Sequence, residues 1–304
     1  MSRRIATLGL QGPLLRYAEV DLTGDPTLRR LGTIEFDGDA ERTLLGDGHV
    51  SMGPALERAA REVFDIEHSG APDALIVAAH PSHAISFTSP LPATLPADAR
   101  HEQLRQEAAL LADVPAGRPV RIRAEPVREQ PNDFAEPHVW HHVLYLGEPV
   151  HARLSLLSRA LGVSSYDLID TTQAVARIVS RLHPNPDPER VALAVGVYSG
   201  HTEISLIQGR EWLYGHHGLG ASAEDTAFVA MTLLERLGFS ADAPERIFVY
   251  GDDPRTERLS MLRDMLDAEP ELVDPLVLFA RRPAHADPAQ LASFAPLLGV
   301  TLDA

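Results

Sequence analysis

The chain has 304 residues, 44% hydrophobic and 6% aromatic, enough to bury one large core or two smaller ones and far from the composition of a disordered tail. Its 43 acidic residues against 27 basic ones give a net charge of −16, a field that repels nucleic acid and anionic membrane surfaces, and no stretch of sequence concentrates basic residues enough to reverse it. All 27 basic residues are arginine and cysteine is absent, which excludes a phosphate-loop lysine, a lysine Schiff base, thiol nucleophiles, disulfides and cysteine-ligated metals.

The opening segment, Met1-Ser-Arg-Arg-Ile-Ala-Thr-Leu-Gly-Leu10, has too short an apolar run for a signal core. No stretch reaches the roughly 20 apolar residues of a spanning helix. Both features predict a cytoplasmic protein. Ile5–Leu10, Leu14–Leu22 and Arg29–Phe36 read as a three-stranded meander broken by Gly12-Pro13 and Gly24-Asp25. Ser51 reads as the N-cap of a helix whose apolar face holds Ala55, Leu56, Ala59, Ala60, Val63 and Phe64. A buried strand follows over Asp73–Ala79.

The next segment is of a different kind. Ser86–Leu91 is extended, Ala97–Leu111 is helical, Val120–Val127 and Val139–Leu146 alternate as strands, and Val150–Leu161 is again helical. Glu129–Pro137 reads as the loop between those strands. A helix over Thr171–Leu182 then leads to the stiff connector Pro184-Asn-Pro-Asp-Pro188, where the sequence places the boundary between residues 1–184 and 185–304.

After the connector the first order recurs. Arg190–Val197, His201–Ile207 and Glu211–His216 form three strands, Ala221–Leu237 a helix closed by Gly238, and Arg246–Tyr250 a short buried strand. Arg4-Ile-Ala-Thr-Leu-Gly-Leu10 set against Arg190-Val-Ala-Leu-Ala-Val-Gly-Val197 carries the repeat in letters as well as in element order.

Two βββαβ units, the first carrying an inserted α/β piece at about 85–165, describe a duplicated, ribonuclease H-like α/β fold of the actin-like ATPase type. The run His80-Pro-Ser-His-Ala-Ile-Ser-Phe-Thr-Ser-Pro-Leu-Pro92, then Glu102-Gln-Leu-Arg-Gln-Glu-Ala108, Gly147–Gly162 and the ending Leu291–Gly299 resemble the PilM family of type IV pilus assembly proteins. The resemblance implies a cytoplasmic actin-like protein held at the inner membrane by its partners, gripping a short cytoplasmic tail of a PilN-like membrane protein, without nucleic acid and without a span of its own.

The nucleotide motifs depart from the fold's pattern. Each half ordinarily opens with Asp-x-Gly and small hydroxyl residues, whose amides and hydroxyls cradle phosphate while the Asp holds the hydrated cation. The first hairpin reads Leu8-Gly-Leu-Gln-Gly-Pro-Leu14, with no acid, no hydroxyl and a proline that deletes an amide. The second, Ala194-Val-Gly-Val-Tyr-Ser-Gly-His-Thr-Glu203, keeps Ser199, Gly200 and Thr202 but has Val195 where an acid is expected. Gly218-Leu-Gly220 and Gly251 stand where adenosine-side glycines belong, though Gly218 and Gly220 serve equally as a turn before the helix. The missing acids therefore point to a non-catalytic adaptor or scaffold, of a type IV pilus-type or type II secretion-type inner-membrane platform, that needs no cofactor. Were ATP with magnesium bound, Gly9, Gly12, Ser199, Gly200, Thr202, Gly218, Gly220 and Gly251 would hold it. The alternative is an active ATPase or small-molecule kinase of the same fold that uses Glu203 or Asp252 in place of the lost acids.

Other chemistry finds less support. His80 with His83, the group His138, His141 and His142, and the pair His216 and His217 have no acidic partner at ligand spacing, and adjacent histidines on a strand point to opposite faces. No Gly-x-Ser-x-Gly elbow occurs. Glu224 and Asp225 suit the first turn of a helix, and Asp252 with Asp253 suits a turn before Pro254.

Overall fold

The structure is a computed structural model that describes residues 3–46, 54–80, 84–115, 117–130, 137–183, 186–188, 190–219, 222–240, 242–254, 259–280 and 287–302. Ser51, His83 and Gly220 lie outside the described residues, as does most of the 129–137 loop. The chain divides into two compact units, residues 1–23 with 29–170, and 24–28 with 171–304.

In the first unit, β1 (Arg4–Gln11), β2 (Leu14–Asp21) and β3 (Thr27–Glu35) form the expected meander. Helices α1 (Ala40–Leu45), α2 (Pro54–Val63) and α3 (Ile66–Ser69) precede β4 (Ala74–Ala79). The inserted piece follows as β5 (Ile85–Pro92), α4 (Ala97–Leu111), β6 (Ile122–Gln130) and β7 (His138–Tyr145), after which α5 (Glu148–Ala160) returns the chain to β8 (Tyr166–Asp170). The main sheet runs β3-β2-β1-β4-β8, with β1 antiparallel to β2 and parallel to β4, and β4 parallel to β8. β1 and β4 read as continuous apolar runs because both of their faces are covered. Leu8 and Leu10 of β1 pack with Leu75 and Val77 of β4, with Leu44 of α1 and with Leu154 of α5. Of the face assigned to α2, Leu56 and Ala60 are buried, and Phe64 just beyond its end is buried too.

The insert is a separate three-stranded antiparallel sheet, β5-β7-β6. Helix α4 covers one face through Leu104 and Ala108 against Leu91 and Val143.

In the second unit, α6 (Thr171–Leu182) leads into β9 (Val191–Val197), β10 (His201–Gln208) and β11 (Glu211–Leu219). They are followed by α7 (Ala223–Arg236), β12 (Pro244–Gly251), α8 (Ser260–Leu266), β13 (Pro270–Leu272), α9 (Pro288–Ala292) and α10 (Ala295–Gly299). The sheet order, β11-β10-β9-β12-β13, repeats the plan of the first unit, with β9 antiparallel to β10 and parallel to β12. Sequence places the boundary at the proline-rich connector, whereas the compact units divide at Asp170/Thr171. The reason is burial: Ala174, Val175, Ile178 and Val179 of α6 are fully covered, and the helix packs on β9, β10, β11 and α10. Among the described residues no helix is long and apolar enough to cross a membrane.

Candidate functional site

The first hairpin is closed on itself. Gly9 lies inside the sheet, paired with Arg16 on one side and Ala78 on the other. Gly12 forms the turn with φ +53°, a left-handed conformation that glycine adopts at little cost. Its amide donates to Glu41 Oε2 at 2.6 Å, and the Glu41 amide returns a hydrogen bond to Gly12 O at 2.9 Å. Glu41 sits in the first turn of α1, which Asp39 caps by accepting from the Arg42 amide at 2.7 Å. A phosphate cradle needs unengaged amides and a positive potential. This turn instead spends the Gly12 amide on a carboxylate, lacks an amide at Pro13, and places negative charge beside the position a phosphate would occupy.

The second hairpin keeps a more open turn. Ser199 and Gly200 are exposed, the Tyr198 amide donates to His201 O at 3.1 Å, and Thr202 is buried between Val197 and Gly218. Val195 is fully buried in β9. On the neighbouring strand the Glu203 carboxylate has 0% exposure. Thr171 Oγ1 donates to its Oε1 at 2.7 Å and Tyr250 Oη donates to its Oε2 at 2.8 Å, while His201 Nε2 stands 3.4 Å from Oε1. The His201 ring stacks on Tyr198 at 4.5 Å between centroids, and Tyr198 meets Tyr250 edge-on. Within its own unit this carboxylate thus meets two hydroxyls and the His201 ring, an arrangement that orders a core.

Gly218 sits within β11, opposite Thr202, rather than in a turn. Gly251 ends β12 with φ +105°, and a Cβ there would lie 2.4 Å from Val197 O. The amides of Asp252 and Asp253 then both donate to Val197 O, at 3.0 and 3.2 Å. Gly251 is thus fixed by backbone conformation and close approach at this crossing. At α7, Ser222 Oγ accepts from the Asp225 amide at 3.0 Å and donates to Asp225 Oδ2 at 2.7 Å, so Asp225 belongs to a helix cap.

Sequence spacing gives the histidines of the 138–142 group no acidic partner. The fold corrects this at one position: His142 Nε2 lies 3.4 Å from Asp170 Oδ2, both nearly fully buried, joining the insert sheet to the end of β8. The partner is supplied by sheet topology and has no local signal.

A second feature escapes the sequence. A groove of about 460 Å³ lies within the first unit, between the insert sheet, α5 and β8. Helix α5 contributes His151, Ser155, Ser158 and Arg159, spaced i, i+4, i+7 and i+8 on one face. Arg121 immediately precedes β6 and Arg123 lies at its start, and Leu144, Leu146 and Leu168 supply apolar walls. Arg123 bonds Asp167, Glu125 and Leu168 O, and those carboxylates outweigh its desolvation and raise its pKa. Burial holds the His151 imidazole below its ordinary pKa, and pushes the Tyr166 phenol above its own. Arg121 and Arg123 from one stretch meet Arg159 from α5 at this groove, the first two paired with Glu148, Glu125 and Asp167; the polar stripe on α5 was the available signal.

No family model matches the chain, and no curated protein matches it. Among solved structures it is similar to the PilM–PilN type IV pilus biogenesis complex, with a TM-score of 0.69 and 20% identity over 98% of this chain and 98% of that one. It is also similar to a Bacteroides thetaiotaomicron protein of actin-like ATPase fold and unknown function, with a TM-score of 0.56 and 10% identity over 90% of this chain and 91% of that one. The chain has the actin-like ATPase fold, with an inserted three-stranded sheet in its first unit.

Proposed function

We propose that this chain is a non-catalytic actin-like adaptor of an inner-membrane assembly platform of the type IV pilus kind, gripping a cytoplasmic tail of a PilN-like membrane partner. It works at the cytoplasmic face of the membrane through that partner and needs no cofactor. The likeness to the PilM–PilN complex over nearly the whole chain supports the assembly role. The observation that carries the non-catalytic part is the Gly12 amide bonded to the Glu41 carboxylate, in the hairpin where phosphate binding needs open donors. Glu203, the acid best placed to replace the missing ones, is held by Thr171 and Tyr250 inside the second unit. The groove beside the insert supports a docking role, because strands at sheet edges offer main-chain groups to an extended segment, and β6 and β8 are both edges.

Two measurements test this. Calorimetric titration of magnesium ATP into the folded protein is expected to give no binding heat at micromolar to millimolar nucleotide, and deletion of the gene in its own host is expected to abolish pilus assembly. Micromolar binding with turnover that disappears in Glu203→Gln, at unchanged folding, establishes the ATPase alternative. Normal pili after deletion refute the assembly role.

A further inference from the structure

We infer that the groove between α7 and α8 takes a cationic amphipathic helix of a protein partner. This surface belongs to the second unit alone and goes beyond the tail-binding role proposed above. Both helices cover the same face of the β11-β10-β9-β12-β13 sheet: Ala230 and Leu234 of α7 and Leu262 and Leu266 of α8 share one buried cluster with Leu193 and Val195 of β9. The helices also touch each other, because β11–α7–β12 and β12–α8–β13 are crossovers that step the same way along the sheet.

The right hand of those crossovers sets which flanks meet. With Leu262 and Leu266 against the sheet, Met261 and Met265 lie one turn apart on the α8 flank that faces α7. With Ala230 against the sheet, Met231 lies on the α7 flank that faces α8, and Phe228 stands beside it toward solvent. Phe228 is 71% exposed, Met265 47% and Met261 39%, while Met231 is half-buried. All three methionines among the described residues thus converge on one groove. Unbranched thioether side chains adapt their shape to an incoming apolar face, and an open phenyl ring beside them offers a large area to bury. A third helix seats on two neighbouring helices by the ridge-and-groove packing that joins those two.

Charge around the groove selects the partner. Helix α7 carries exposed Glu224, Asp225 and Glu235 against Arg236, and α8 with the turn after it carries exposed Asp264, Asp267 and Glu269 against Arg263. Asp225 is engaged in the α7 cap, and Asp264 holds Arg263 at 2.9 Å. Glu224, Glu235, Asp267 and Glu269 have no ion pair among the described residues, which leaves four acids against Arg236 alone. An apolar strip with this rim attracts a helix that carries large apolar residues at i, i+3, i+4 and i+7 and lysine or arginine on either side of them. A second copy of the chain, at −16, and an anionic lipid surface are both repelled from it.

The test is fluorescence polarisation on the full chain at 0.15 M salt, with labelled Lys-Leu-Ser-Lys-Leu-Leu-Lys-Lys-Phe-Leu-Lys-Ser-Leu-Lys capped at both ends. Two controls accompany it: the same residues reordered so that no helical face is apolar, and the parent order with glutamate for lysine. The parent peptide is expected to bind saturably and to gain helical circular dichroism on binding. Both controls, and the parent peptide on Phe228→Ser or Met265→Ser, are each expected to bind at least tenfold more weakly, with thermal unfolding of the variants unchanged. Reversing the rim in Glu224→Arg with Glu235→Arg is expected to weaken the parent peptide and strengthen the glutamate one. Equal binding of the reordered peptide, no effect of Phe228→Ser, or no binding of the parent peptide overturns the inference. Self-association, or binding to phosphatidylcholine vesicles, that Phe228→Ser abolishes while the parent peptide fails to bind assigns the face to a second copy or to lipid and overturns it equally.

Discussion

A carboxyl group with no solvent contact is tolerated only when polar partners replace its water, and Glu203 has such a shell: the Thr171 and Tyr250 hydroxyls at 2.7 and 2.8 Å with the His201 ring beside them. Replacing the acid by an isosteric amide turns one acceptor into a donor facing a hydroxyl. Glu203→Gln is therefore expected to lower stability by about 1–3 kcal/mol, read as a shift of the guanidinium midpoint at constant slope. An unchanged midpoint would mean that the carboxylate is not the organising group of this core. Arg153 illustrates the complementary case, a buried guanidinium whose Nε donates at 2.7 Å to Leu44 O, one of the carbonyls α1 leaves unpaired at its C-terminal end.

At the scale of elements, the ends of strands decide more than their middles. β12 runs parallel to β9 and ends where Gly251 takes φ +105° over Val197, freeing the next two amides to converge on Val197 O. Alanine at this position combines a conformation that L residues rarely adopt with a Cβ 2.4 Å from a backbone oxygen. Gly251→Ala is expected to destabilise the second unit by about 3 kcal/mol, with hydrogen exchange accelerated at the ends of β9 and β12 before the rest of the sheet. Exchange that stays uniform would place the strain elsewhere. In the first unit the corresponding point of control is the Gly12–Glu41 exchange of hydrogen bonds, which ties the β1–β2 turn to α1.

For the molecule as a whole, pH is read through its histidines. Burial holds His141, His151 and His216 below their ordinary pKa in the folded chain. Unfolded histidine titrates near 6.5, so below that pH the unfolded chain binds more protons than the folded one and stability falls with acidification. The urea midpoint is expected to be flat above about pH 7 and to decline as pH drops through 6.5. The measurement belongs at 0.15 M salt or higher, where self-repulsion of the −16 charge is screened. A midpoint that rises between pH 7 and 6 under those conditions contradicts the assignment of these rings as buried neutral groups.

The sequence by itself determined the plan of the chain. Both βββαβ units, the insert's order of strand, helix, two strands and helix, and the bounds of α6 at Thr171–Leu182 are all present in the structure. Those features follow from periodicity and turn chemistry, which act over a few residues and leave a local trace. The short strands β8 and β13, with five and three residues, leave too little pattern to register. Tertiary structure alone decided the rest. Glu41 reaches Gly12 across 29 positions, Thr171 and Tyr250 reach Glu203 across 32 and 47, and the groove beside the insert draws its arginines from the β6 stretch and α5. Hydrogen-bond partners and local charge depend on which strands become neighbours, and neighbours are chosen by burial of the whole core, so no window of sequence contains them.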